Sequence, residues 1–96
     1  MSRKVVIDRK ALKYLSELPD KSQRIIKEKC YTLAEDPFPG RGDDIELLHL
    51  EFKLYRLHVG RSFTVFYQIC DAEELIRILE IVTIDKAHKL YRHFGE

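Results

Sequence analysis

Cysteine is scarce: Cys30 and Cys70 are the only two in 96 residues. That is too few for the disulfide framework of a small secreted domain, and the spacing is not that of a metal site. Four scattered histidines, His49, His58, His88 and His93, do not complete one. Both cysteines read as small buried fillers. Long hydrophobic runs are also missing. No stretch approaches the ~18 apolar residues of a membrane helix, and the opening "MSRKVVIDRKALKYL" carries charge where a secretory signal needs an uninterrupted apolar run. A soluble, cytoplasmic protein with no membrane partner is expected. Nor is there an excess of charge of one sign, since 17 Lys and Arg face 16 Asp and Glu for a formal +1. Bulk electrostatics therefore announces no nucleic-acid binder, and any such signal must lie in the pattern. Proline and glycine gather in one place, "DPFPGRGDD", and no repeat or low-complexity tract is present.

The length fits a single domain spanning residues 1–96 around one small core. A chain of this size buries only about 60 to 70% of its unfolded surface. This speaks against a deep multi-substrate pocket and places any chemistry on an exposed face. "KVVID" reads as a short opening strand, after which Asp8 suits an N-cap for a helix burying Ala11, Leu12 and Leu15. "LPDK" breaks that helix. Asp20 can cap a second one running toward Ala34, with Ile25, Ile26, Lys29, Cys30 and Leu33 on one stripe. After the "DPFPGRGDD" loop the period changes from 3.6 to 2 in "KLYRLHV", "SFTVFYQI" and "LIRILEIVTI", which predicts three sequential antiparallel strands. "DKAHKLYRHF" closes the chain as a short helix capped by Asp85, with Ala87, Leu90, Tyr91 and Phe94 on one side. The expected fold is α+β: an N-terminal strand and a two-helix hairpin packed on one face of an antiparallel sheet, with a short C-terminal helix and the other face free.

The chemistry-bearing pattern is "LYRLHVGRSFTVFYQI", residues 54–69, where no acidic residue stands between Phe52 and Ile69. Strand alternation sends Tyr55, Leu57 and Val59 to the core and Arg56 and His58 to the opposite face. Arg61 in the turn and the basic segment Lys86, His88, Lys89, Arg92 and His93 extend a cationic surface suited to phosphate. A bland reading stands beside this one. Arg56 and His58 are then a solvated strand face, Lys86, Lys89 and Arg92 answer the helix dipole, and Tyr91 packs its ring on the sheet. Phe63, Phe66 and Tyr67 read as core rather than as a stacking platform, and His49 and His93 as surface residues.

In element order, in length and in the hairpin "LYRLHVGRSFTVFYQI", the chain resembles the RelE/ParE superfamily of toxins from type II toxin-antitoxin systems. "TIDKAHKLYR" is similar to that family's closing segment ending in tyrosine. The resemblance implies the RelE branch, whose members bind in the ribosomal A site and cut the messenger there, with no metal or other cofactor. It places Arg56 and His58 at the two basic positions of the hairpin's first strand, with Arg56 on phosphate and His58 as general acid or base. Arg61 and Tyr91 complete the implied catalytic set, and Lys53, Lys86, Lys89 and Arg92 the substrate-binding set. Two positions depart from the family: Thr64 and Ala87 stand where arginines are common. The resemblance also implies a RelB-like antitoxin that sets the oligomeric state. The alternative is a ParE-like inhibitor of DNA gyrase, or a decayed toxin that only binds its antitoxin.

Overall fold

The computed structural model describes residues 3–40, 44–87 and 89. Tyr91 and Arg92, and with them His88, Leu90, His93 and Phe94, lie outside the described residues. The elements run β1 (Lys4–Ile7), α1 (Arg9–Ser16), α2 (Asp20–Thr32), β2 (Ile45–His49), β3 (Leu54–Val59), β4 (Phe63–Cys70) and β5 (Leu75–Thr83). A closing helical segment begins at residue 84. The strands form one five-stranded sheet in the order β1-β5-β4-β3-β2. All neighbours are antiparallel except β1, which pairs in parallel with β5 through Lys4↔Leu75 to Ile7↔Ile78. The α+β architecture expected from the sequence is therefore present, with one parallel pair added at an edge and one strand, β2, added at the other.

One face of the sheet carries the main core. Tyr55, Leu57 and Val59 of β3, Val65, Tyr67 and Ile69 of β4, and Ile76, Ile78 and Ile81 of β5 pack there against Ala11 and Leu15 of α1 and Ile26 and Cys30 of α2. Each fully buried aliphatic side chain contributes about 1.5–3 kcal/mol relative to exposure, so period-2 strands and period-3.6 helices are held by the same apolar layer. Leu12 and Ile25 fall outside it, at 49% and 42% exposure. Both were expected on the buried stripes. They sit one position off the i, i+4 pairs Ala11/Leu15 and Ile26/Cys30, a rotation of about 100° on a helix of 3.6 residues per turn. Tyr67, at the centre of the middle strand, stacks on Tyr55 with ring centroids 5.5 Å apart and donates its hydroxyl to the Pro37 carbonyl at 2.7 Å. That bond ties the Pro-rich loop to the core, and burial pushes the Tyr67 phenol above its ordinary pKa.

The helix starts are built differently from the sequence expectation. Asp8 does occupy the N-cap of α1, but its carboxylate makes no capping bond. It instead accepts both Nε and Nη2 of Arg77 on β5, at 2.9 and 3.0 Å. Pro19 takes the cap position of α2, and Asp20 is its first helical residue, where its charge still favours the helix dipole. At the closing segment it is Thr83, not Asp85, whose hydroxyl accepts from the Lys86 N–H, at 3.4 Å.

The two cysteines differ in environment. Cys30 is 1% exposed and burial pushes its thiol up to about 12, whereas Cys70 is only half-buried at the end of β4. At pH 8 a thiol with that value is about one part in 10,000 thiolate, the reactive form. Iodoacetamide is expected to label Cys70 of the native protein and to reach Cys30 only in denaturant, which mass spectrometry of the two peptides checks.

Candidate functional site

The face opposite the helices is not bare. Leu54, Phe66, Val82 and Ala87 form a second, smaller buried cluster there, with Leu48 and Leu79 against it. Ala87 belongs to the closing segment and is fully buried, so that segment lies across the face expected to be free. Beside this cluster, strand pairing lines up two rows of side chains. One runs Glu46, Arg56, Phe66, Glu80 across β2, β3, β4 and β5, and the other runs His58, Thr64, Val82 across β3, β4 and β5. Residues two apart on a strand lie about 7 Å from each other, so Arg56 and His58 stand side by side on one face at a spacing that a phosphodiester can bridge.

Arg56 is held in place. Its side chain is only 11% exposed and its Nη2 donates to the Glu46 carboxylate at 2.7 Å. Glu46 is 56% exposed, so the ion pair sits at the rim, with the guanidinium on the inner side. The absence of acid inside the hairpin is thus answered by an acid from β2, a strand that follows the "DPFPGRGDD" loop and that the period-2 pattern does not mark. Its pattern, "IELLH", does not alternate cleanly, because a register irregularity between Leu47 and His49 breaks the period. A carboxylate immediately before "LLH", flanked by Ile45 and Leu47 and followed by a basic strand, is the signal by which Glu46 could have been found. His58 is half-buried. Its Nδ1 lies 3.4 Å from the hydroxyl of fully buried Thr64, and its backbone N–H donates to the Asp44 carbonyl at 2.7 Å. With Nδ1 engaged by a hydroxyl, Nε2 is the nitrogen left for proton transfer in a neutral imidazole of either tautomer.

The other expected site residues are placed elsewhere. Arg61 lies beyond Gly60, whose φ of +60° forms the β3–β4 turn, and lines a cavity with Lys21, Ser22 and Ile25 of α2 on the helical side. Lys53 stands at the opposite end of β3, about 16 Å along the strand from His58. It forms a short hydrogen bond with Asp71. That bond, with the attraction of the opposite charges, holds the Lys53 amine above and the Asp71 carboxyl below their ordinary values. The stabilisation from the Asp71 side is present above the carboxylate's unfolded pKa and fades as pH falls through its depressed folded value. Lys86 borders a different cavity, of about 280 Å³, with Lys10, Lys13, Tyr14 and Glu80. Lys89 is helical and exposed. The structure therefore brings Arg56 and His58 together, adds Glu46 and Thr64 to them, and keeps Lys53 and Arg61 apart from that cluster. No three His, Cys, Asp or Glu among the described residues are grouped as a metal site. No described helix is long and apolar enough to cross a membrane.

Residues 5–87 match the family described as ParE toxin of type II toxin-antitoxin system, parDE. The chain belongs to the RelE/ParE superfamily of toxins. A curated relative from Methanocaldococcus jannaschii, named as a candidate toxin RelE1, is 32% identical over 89 residues, covering 93% of this chain and 98% of the relative. The archaeal RelE-RelB complex from Pyrococcus horikoshii OT3 contains a chain that matches with a TM-score of 0.74 and 27% identity, over 86% of this chain and 96% of that one. The toxin-antitoxin complex RelBE2 from Mycobacterium tuberculosis matches at a TM-score of 0.72 and 19% identity, over 86% and 99%, which supports the fold. In this RelE/ParE toxin the two departures noted in the sequence fall at fully buried positions: Thr64 supports the His58 ring and Ala87 packs in the second apolar cluster.

Proposed function

We propose that this toxin is a ribosome-dependent endoribonuclease that cleaves translated messenger in the A site and is neutralised by a RelB-like antitoxin. The observation that carries the proposal is the pairing of Arg56 and His58 on one sheet face, each fixed by a separate support, Glu46 and Thr64. Cleavage through the RNA's own 2′-hydroxyl needs a proton acceptor for that hydroxyl, cationic donors for the charge that grows on the phosphate, and a proton donor for the departing 5′-oxygen. Arg56 supplies the charge and a planar fork matched to phosphate oxygens. His58 moves a proton at Nε2, and the Glu46 carboxylate sets the guanidinium's orientation before the substrate arrives. Lys89, exposed on the closing segment, extends the cationic surface, and the resemblance adds Tyr91 and Arg92 to that segment, whereas Lys86 borders the cavity beside α1. The RelE name of the curated relative and the RelE-RelB complex among the solved neighbours support the ribosomal branch and a RelB-like partner.

The matched family's ParE description favours a second reading, inhibition of DNA gyrase by contact; a toxin that has lost activity and only binds its antitoxin is the third. A cell-free translation reaction driven by purified transcripts separates them, because it needs no gyrase. The proposal expects the toxin to stop synthesis there and to leave plasmid supercoiling by gyrase unchanged. The reverse result would establish the gyrase reading, and inactivity in both assays the third.

The role given to Thr64 makes a narrower claim. Thr64→Val keeps the shape of the side chain and removes the hydroxyl, and the expected loss is about tenfold in cleavage rate, a fraction of the 10²–10⁴-fold that a positioned acid or base contributes, because the imidazole itself stays. Thermal stability should change by about 1 kcal/mol or less, the usual size of one neutral hydrogen bond. Comparing single-turnover rates with melting curves separates the two effects.

A further inference from the structure

Arg61 was expected beside His58, and its actual position is informative. It lines a cavity of about 190 Å³ between the β3–β4 turn and the first turn of α2, together with Lys21, Ser22, Ile25, Ser62 and Phe63. Lys21 and Arg61 are both exposed, and neither is among the six described cations that pair with a carboxylate. Among the described residues no acidic side chain lines this cavity. The cavity at Lys86, by comparison, holds Glu17 and Glu80 among its lysines. Two cations and two hydroxyls thus share one hollow with a wall made by Ile25 and Phe63. Cations and hydroxyls suit a phosphate, and the apolar wall suits the flat face of a base or ribose. The position is also fixed relative to the cleavage face: three residues of chain cannot span more than about 11 Å, so the Arg61 backbone lies within that distance of His58, around the end of the sheet.

We infer that the Lys21–Arg61 cavity is a phosphate subsite for single-stranded RNA, which takes a nucleotide flanking the scissile one as the strand turns over the β3–β4 hairpin. The inference rests on the ribonuclease reading for the strand's course, but not for its test. It gives Arg61 a role in holding and registering the strand, separate from the bond-breaking pair.

The test is binding, read without cleavage. A short single-stranded RNA with 2′-O-methyl groups throughout is titrated into the full-length toxin at several salt concentrations, and the amides of Ser22, Gly60 and Ser62 are followed by NMR. Saturable shifts at these amides are expected, and in the Lys21→Gln, Arg61→Gln double variant about tenfold weaker binding. The slope of log affinity against log salt should also be shallower by about 0.7 to 1.4, the range for one or two single-strand phosphates lost. Both side chains are exposed and take part in none of the described ion pairs, so the variant is expected to keep its melting temperature. An unchanged affinity and slope in the folded variant would overturn the inference, as would shifts confined to the Arg56 and His58 face. Inorganic phosphate alone is the comparison: equal shifts with phosphate at the same concentration would mean a small-anion site and would also overturn the RNA assignment. If the amides respond to RNA but the toxin cuts no messenger, the subsite stands and the ribonuclease reading fails.

Discussion

Replacing Arg56 with glutamine is expected to slow messenger cleavage on translating ribosomes by about 100- to 1,000-fold, the loss seen when one preorganised donor to a developing oxyanion is removed. The side chain remains able to hydrogen bond but loses its charge and its two-pronged fit to phosphate. The size of the effect follows from burial. At 11% exposure, the guanidinium acts where water screens it poorly, so its charge is worth more to the transition state than that of a surface lysine. The fold should survive, because the Glu46 partner is more than half exposed, and a solvated carboxylate that loses its partner costs about 1 kcal/mol or less. Single-turnover cleavage on stalled ribosomes measures the rate, and a melting curve measures the fold. A rate within about threefold of wild type, well short of the expected loss, would remove Arg56 from the chemistry. Glu46→Gln asks a related question of the support: the orientation of Arg56 is kept by an amide oxygen in place of the carboxylate, so its effect should be much smaller than that of Arg56→Gln.

The second large effect is expected at Ala87, where the family commonly has an arginine. The position is fully buried among Leu54, Phe66 and Val82, so Ala87→Arg places a long cation in an apolar cluster whose described members carry no carboxylate. Overpacking alone costs about 1–3 kcal/mol and an unpaired buried charge adds to that. The closing segment is the element able to yield, since it lies at the end of β5 and its first N–H, on Ile84, is held by the Ser62 carbonyl at 3.0 Å. Hydrogen exchange at the Ile84 amide is expected to speed up by about 100-fold, the equivalent of ~2.7 kcal/mol of local opening. Global melting should move much less. Unchanged protection together with faster cleavage would contradict this account, and would show that alanine marks a lost catalytic group rather than a packing choice.

Much of this was legible in the sequence where period and burial agree. β3 alternates cleanly, and Tyr55, Leu57 and Val59 do face the core while Arg56 and His58 face away. The helices were legible as elements but not in rotation: Leu12 and Ile25 are as apolar as their buried neighbours, and only the packing partners across the helix decide which turn inward. β2 was illegible because an edge strand is half-solvated and this one carries an irregularity, so its pattern resembles a loop. Glu46 was lost with it, and so was the ion pair that organises Arg56. The parallel pairing of β1 with β5 depends on contacts about 70 residues apart in sequence, which no local pattern encodes. Arg61 illustrates a different limit. Three residues from His58 in sequence, it lies around the end of the sheet because Gly60 turns the chain there.

We assign Arg56 and His58 as a cutting centre on the sheet face opposite the helices. Primer extension on messengers held by translating ribosomes tests this assignment most directly, comparing the wild-type toxin with an Arg56→Ala, His58→Ala double variant of verified fold. The account predicts cuts within the A-site codon with the wild type and none with the variant. Cuts that persist in the folded variant, or a folded and antitoxin-free wild type that makes none, would contradict it.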